Sequence, residues 1–546
     1  MGSYHSTRAR ALSCSSKEAI RKGIASDGGL LVSDELGKQQ IDITNLASKT
    51  YFDIAREVLG ALLPGYSADE IAACVDEAYN GTFAASEVTP LVELPHMANA
   101  SAPTYVMELF HGPTSAFKDV ALQMLPRLMA RTSAADDAGT AGAAAAGTTT
   151  AAAGNGNADA AVADSASSNA NAVNATAGTT DERIMIVTAT SGDTGKAALA
   201  GFADAAGTGI TVFYPEGKVS RVQNLQMSTQ DGANVAVCGV RGNFDDAQSA
   251  VKRIFGDAEL NARLNAEGTV LSSANSINVG RLVPQVVYYF AAYAQLLRAG
   301  AITSGDQVEF CVPTGNFGDI LAGYYAKRIG LPVAKLVVAS DKNNVLCDFL
   351  TTGVYDRNRP FFTTISPSMD ILISSNLERM LYFLSDGDCE LVAHLMAELA
   401  ETGRYKVPAD LLAKIQEVFG CGWANEDEVR AAIKTCYDAD NYVIDPHTAC
   451  GYHVMEEVPA AADAKVRVLL STASPYKFPR AVCEALKLDV PDDDFDAMRV
   501  LENATGTKAP AQLAELEHKP VRFTDVVDVA DMGAYVEAAA KRMSSN

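Results

Sequence analysis

Several stretches of this chain repeat one order: an apolar, β-branched run, a turn rich in glycine and hydroxyls, then a helical segment. Residues 184–190 (IMIVTAT) lead through such a turn into the helical KAALAGFADAA and on to ITVFY at 210–214. QVEFCV at 307–312 leads through another into ILAGYYAKRIG and then VAKLVVAS, and KVRVLLST at 465–472 reads as a further buried strand. Parallel strands need long crossovers, usually helical, so this alternation predicts α/β folding with helices on both faces of parallel sheets. Ligands in such sheets bind at the carboxyl ends of the strands. The polar turns after these runs are therefore where chemistry is expected.

A chain of 546 residues exceeds a single core and implies several domains. Residues 1–96 are more helical, as in ADEIAACVDEAYN, and form an N-terminal region. One α/β domain is expected from 97–131 together with 183–270. A second is expected over 271–546, with a C-terminal extension that carries no chemical motif after about residue 500. Residues 132–182 contain no aromatic residue, no Leu or Ile, and no Lys or Arg. Such a segment buries too little apolar surface to offset its ordering entropy, and it reads as a disordered insertion. An Ala-rich helix is the alternative, against which Gly, Thr and Asn interrupt every Ala run.

The net charge of −23 opposes binding to nucleic acid and to anionic membranes. An anionic small molecule would need local Arg, Lys and backbone N–H groups. The ten Cys show no CxxC pair, and the seven His do not cluster, so no metal is expected. No stretch reaches the roughly 18–20 apolar residues of a membrane span. The first twenty residues lack the apolar core of a secretion signal, and a cytoplasmic protein is expected.

Four motifs carry chemistry. In His111-Gly112-Pro113-Thr114-Ser115-Ala116-Phe117-Lys118-Asp119, a lysine in partly apolar surroundings could act as a nucleophile toward an aldehyde; a solvated surface charge is the plain alternative. Thr188–Lys196 (TATSGDTGK) joins a strand to a helix. The Ser191 and Thr194 hydroxyls and the glycine N–H groups would bind a carboxylate at the helix start, or Ser191, Asp193 and Thr194 would simply cap that helix. Pro313–Asp319 (PTGNFGD) could form an anion nest for a phosphate, or an ordinary tight turn; it is neither a P-loop nor a dinucleotide fingerprint. Ser471–Pro479 (STASPYKFP) ends a buried strand, where a hydroxyl could meet a ring nitrogen or simply open a Ser-Pro turn. Two further segments join them. Asn275, Ser276, Asn278 and Arg281 suit a phosphate dianion, or a helix start with a surface Arg. Asp445-Pro446-His447-Thr448 reads first as an Asp cap with Pro at the first helical position.

Together these motifs, with YHSTRA, GIASDGGL, SANSINVGRL, SPSMDILISSNLER and DPHTACGY, resemble the threonine synthase family in its bacterial and fungal branch. The resemblance runs from about residue 4 to 480, and residues 132–182 depart from it. It implies the fold-type-II pyridoxal-phosphate architecture, similar to the tryptophan synthase β chain. Two doubly wound α/β domains would hold the cofactor in the cleft between them. It makes Lys118 the Schiff-base lysine and catalytic residue. It puts the cofactor phosphate on Gly315, Asn316, Phe317, Gly318 and Asp319, Thr472 near the pyridine nitrogen, and Asp193 near the phenolic oxygen. Substrate would meet Ser191, Thr194, Asn275, Ser276, Asn278 and Arg281. The implied activity is a carbon–oxygen lyase reaction, the last step of threonine biosynthesis: O-phospho-L-homoserine and water give L-threonine and phosphate. The implied enzyme is a monomer. A dehydratase or β-replacement enzyme of the same fold is the nearest rival, and its substrates carry no γ-phosphate. A non-catalytic relative is the other.

Overall fold

The computed structural model describes residues 4–97, 100–132, 182–190 and 192–544. The strands, in chain order, are β1 (Tyr4–Ser6), β2 (Ser13–Cys14), β3 (Leu31–Ser33), β4 (Leu91–Glu93), β5 (Thr104–Glu108), β6 (Arg183–Ala189), β7 (Thr208–Pro215), β8 (Val235–Arg241), β9 (Thr269–Ser272), β10 (Gln307–Pro313), β11 (Val333–Ser340), β12 (Val354–Asp356), β13 (Arg404–Lys406), β14 (Phe419–Trp423), β15 (Ala464–Ser471) and β16 (Val526–Asp528). One sheet has the order β14-β11-β10-β15-β5-β4 and a second the order β16-β8-β7-β6-β9. Every neighbouring pair in them is parallel except β4 with β5. The continuous apolar runs follow from this: all eight residues of β7 are buried, as a strand covered on both faces requires.

The helix Val279–Arg298 is buried almost all round and runs through the main core. It packs against the helices Tyr51–Leu62, Lys118–Met129 and Gly318–Arg328. The N-terminal region carries the expected helices, each opened by a capping box: Ser15 with Glu18, Thr50 with Asp53, Ser67 with Glu70. It also holds an antiparallel sheet, β2-β1-β3, whose two- and three-residue strands are too short to show a period in the sequence.

Sheet membership departs from the expected domain bounds in two places. β5, assigned by sequence to the 97–131 part of the first domain, pairs with β15 in the six-stranded sheet. β16, from the end of the 271–546 segment, pairs with β8 in the five-stranded sheet. The helix Met532–Ser544 contributes Met532, Val536 and Ala539 to the core on that sheet's face. The two α/β units thus exchange segments at both ends. The chain that leads to Lys118 starts in one sheet, while the Lys118 helix packs on a helix of the other. The insertion call lies, apart from its two end residues, outside the described residues. Among the described residues no helix is long and apolar enough to cross a membrane.

Candidate active site

Lys118 is the first residue of the helix Lys118–Met129. The loop before it is tied to the end of β15: Phe117 N–H donates to Thr472 O (2.9 Å), and Ser474 N–H donates to Ser115 O (3.1 Å). Ser115 takes up a left-handed conformation (φ 58°) while fully buried, and Gln512 donates to its Oγ at 3.1 Å. Thr114 donates both N–H and O–H to the buried Asp119, at 2.8 and 2.7 Å. These bonds fix Lys118 where it enters the helix. Its side chain is 7% exposed. Burial pushes its amine down to about 8; Asp193 opposes that shift, and Lys477 and Arg281 reinforce it.

Asp193 opens the helix Asp193–Phe202 after β6. Sequence left two roles open for this turn, and the geometry separates them. Thr190 Oγ accepts the N–H groups of Gly192 and Gly195, at 3.0 and 3.1 Å. The Asp193 carboxylate is therefore free to accept from Lys477 Nζ (2.6 Å) and from Ser368 Oγ (3.3 Å). Burial works against the charged form of Asp193, but Lys477, Lys118 and Lys196 together hold it well below the usual carboxylate range. Thr194 is half-buried beside it, and Ser191 lies outside the described residues.

After β10, Phe317 adopts a left-handed conformation (φ 64°), and the helix Gly318–Arg328 begins. A left-handed residue before a helix start curves successive N–H groups into an anion nest. A Cβ on Gly315 would lie 3.1 Å from Ser368 O and 3.2 Å from Met369 Cα, so the 366–371 loop closes against the nest backbone. Asn316 Oδ1 accepts Gly318 N–H at 2.9 Å. The Asp319 side chain is turned back onto Tyr288 and Tyr289, which donate to it, and burial raises its carboxyl to about 7. At this position only the backbone N–H suits an anion.

Arg281, in the first turn of the helix Val279–Arg298, is 2% exposed. It has no carboxylate partner among the described residues. Nη1 donates to Ala274 O (3.0 Å), Nε is unpartnered, and burial lowers its pKa to about 10. Asn275 and Ser276 are half-buried on the preceding segment. Asn278 is spent differently from the expectation. Its amide caps Gly280 N–H and donates to Ile20 O, both at 2.8 Å, so it ties the site to the N-terminal region.

Comparison with known proteins follows the same outline. Residues 3–79 match the family described as threonine synthase N terminus, 166–472 match pyridoxal-phosphate dependent enzymes, and 448–536 match the threonine synthase C-terminal family. Threonine synthase of Schizosaccharomyces pombe is 37% identical, over 89% of each chain. The chain belongs to the threonine synthase family. The crystal structure of pyridoxal-phosphate-bound threonine synthase from Brucella melitensis superposes with a TM-score of 0.80 at 35% identity. That match covers 99% of this chain and all of that one. Threonine synthase-like 1 of Homo sapiens is 36% identical over 92% of this chain, which spans 62% of that relative's length.

The site of this threonine-synthase-family chain fits the family's cofactor. The buried cationic groups Lys118, Lys477 and Arg281 outnumber Asp193, the buried carboxylate held below its usual range, while burial pushes Asp119 toward its neutral form. An anionic group at the nest and near Arg281 would balance that excess. Lys196 Nζ has no hydrogen-bond partner, and burial together with Lys477 drives its pKa far down. Sequence reasoning missed Lys196, Lys477 and Ser368 as site residues and put a catalytic role for the segment of His447 second to a helix cap. All four lie inside motifs it had singled out. What was missing was the pairing of distant segments: Lys477 meets Asp193 across 284 positions and Ser368 meets Lys118 across 250.

Proposed function

We propose that this chain converts O-phospho-L-homoserine and water into L-threonine and phosphate, using pyridoxal phosphate. Arg281 carries the reading: a guanidinium 2% exposed, without a carboxylate partner among the described residues, and close enough for its charge to act on Lys118. Burying an unpaired cation is costly unless an anion meets it. A dehydratase or β-replacement substrate brings no phosphate to that position.

Bound pyridoxal phosphate supplies an electron sink for charge developing at the substrate α-carbon. Lys118 Nζ, with a pKa near 8, is suited to take the α-proton and to return one later. Arg281, with Asn275 and Ser276 beside it, holds the γ-phosphate as it leaves, and Thr194 meets the substrate carboxylate. The first-turn N–H groups at Gly315–Asp319 hold the cofactor phosphate. Thr472 would meet the pyridine nitrogen, and Asp193 would face the phenolic oxygen. The proposal is of a cytoplasmic monomer without a nucleic-acid partner, the last supported by the net charge of −23.

The test is phosphate release from O-phospho-L-homoserine with threonine identified as co-product. Arg281→Ala should weaken phosphohomoserine about 10- to 150-fold, the worth of one charge-assisted contact, while homoserine and pyridoxal phosphate bind nearly as before. Equal weakening of phosphohomoserine and homoserine would assign Arg281 to structure and remove the argument for a phosphorylated substrate.

A further inference from the structure

Ser368 links three groups. Lys118 Nζ donates to Ser368 Oγ at 3.4 Å, and Ser368 Oγ donates onward to Asp193 Oδ2 at 3.3 Å. A hydroxyl has one proton to give. With that proton committed to a carboxylate, Oγ can only accept from the amine. The neutral amine then spends an N–H on Ser368 and keeps its lone pair turned away from it, free to react.

Ser368 is in turn held by a buried pair. Its backbone N–H donates to His447 Nε2 at 3.1 Å. Because Nε2 accepts, the imidazole proton sits on Nδ1, where it meets Asp445 Oδ1 at 2.7 Å. His447 is 2% exposed and Asp445 fully buried. The rest of the loop is held by its own bonds, Thr364 with Asp370, Ser366 N–H to Thr364 Oγ and Met369 N–H to Ser366 O, and from outside at Thr364, Ile365 and Asp370 by Asp341, Glu426 and Asn343. The bond to His447 is the one that fixes the Ser368 backbone from outside the loop, among the described residues.

We propose that Ser368 is the positioning residue of the Lys118 amine, and that the Asp445–His447 pair serves to hold Ser368. The inference rests on Lys118 being the cofactor lysine. The charged groups that bear on Lys118 besides this chain of bonds are Asp193, Lys477, Arg281 and Asp119.

The test uses cofactor-free protein, in which cyanate labelling of Lys118 is followed by mass spectrometry as a function of pH. Four proteins are compared: the parent, S368A, H447N and H447Q. The parent should label with a midpoint near 8. Loss of Oγ removes an acceptor for the ammonium, so S368A should move the midpoint down by about one unit. H447N, which cannot reach Ser368 N–H, should copy that shift. H447Q carries an acceptor near the Nε2 position and should restore the parent value. In the loaded enzyme, S368A and H447N should lose about tenfold in kcat with KM within about twofold, because the amine is misaligned after binding. H447Q should recover most of the loss. Parent-like labelling and kcat in S368A, or identical behaviour of H447N and H447Q, would overturn the proposal. S368A tests the first link even where a His447 variant fails to fold. The labelling needs no turnover, so its failure is distinct from failure of the Lys118 assignment, which K118A reports by keeping turnover.

Discussion

Lys118 illustrates how function at one residue opposes stability. Its amine has a pKa of about 8 in the fold against 10.5 for an ordinary lysine. As pH falls, the unfolded chain takes up its proton first, near 10.5, and the native chain only near 8. The penalty on the native state is therefore absent above 10.5 and complete below about 8. Lys118→Met has similar bulk and no proton to bind. In the cofactor-free protein it should be more stable than the parent at pH 7 by about 3 kcal/mol, with the advantage fading between pH 8 and 10.5. Urea denaturation at pH 7, 9 and 10.5 checks this, and a pH-independent difference would mean the amine titrates normally. The same variant should have no turnover. HGPTSAFK could be singled out because it is contiguous; that its lysine is buried rather than a solvated surface charge comes only from the fold. The roles of Ser368 and His447 were not legible, because neither has a chemical role until folding brings together residues 79 positions apart.

At the scale of elements, the helices that carry Lys118 and Asp193 meet backbone to backbone. A Cβ on Gly201 would lie 1.9 Å from Leu122 O, and Arg127 Nη1 donates to Gly201 O at 2.6 Å. Leu122 O cannot yield without moving the Lys118 helix. Gly201→Ala should therefore cost about 1–3 kcal/mol, as overpacking does, and lower kcat by shifting Lys118 against Asp193. Gly60→Ala is the control. That residue is exposed in the helix Tyr51–Leu62, and an added Cβ meets nothing within 4 Å. It should stabilise the protein by about 0.5–1 kcal/mol. Thermal unfolding and kcat of both variants give the comparison, and a stabilised Gly201→Ala would show that the helix pair is free to slide. The elements themselves were largely readable: β7, β10, β11 and β15 lie where apolar runs preceded polar turns. β5 and β16 were not read as strands, and each joins the sheet of the domain its residues were not grouped with. Each is five residues or shorter, and its partner lies several hundred positions away, so no local pattern records the pairing.

At the scale of the whole molecule, a second buried side chain besides Asn278 joins the N-terminal region to the site. Arg379 is fully buried and, among the described residues, bonds to neutral acceptors: Leu31 O on β3 (3.0 Å), Ile277 O in the segment before Arg281 (2.6 Å), and Asn376 Oδ1 (2.6 Å). Asn376 in turn donates its amide to Ser276 O and Asn316 O, at 3.2 and 3.3 Å. The guanidinium thus ties three parts of the chain behind the Gly315–Asp319 turn, the proposed phosphate nest. A lysine keeps the charge, but its single ammonium cannot span three acceptors set apart in a plane. Arg379→Lys should leave two buried carbonyl or amide oxygens without a donor and cost about 2–4 kcal/mol. If the N-terminal region supports the nest through this link, the same variant should also bind pyridoxal phosphate about tenfold more weakly, while kcat at saturating cofactor falls far less. Urea denaturation and a cofactor titration by absorbance separate the two effects. Lost stability with unchanged cofactor affinity would mean that the N-terminal region only packs against the catalytic unit and does not shape its phosphate site.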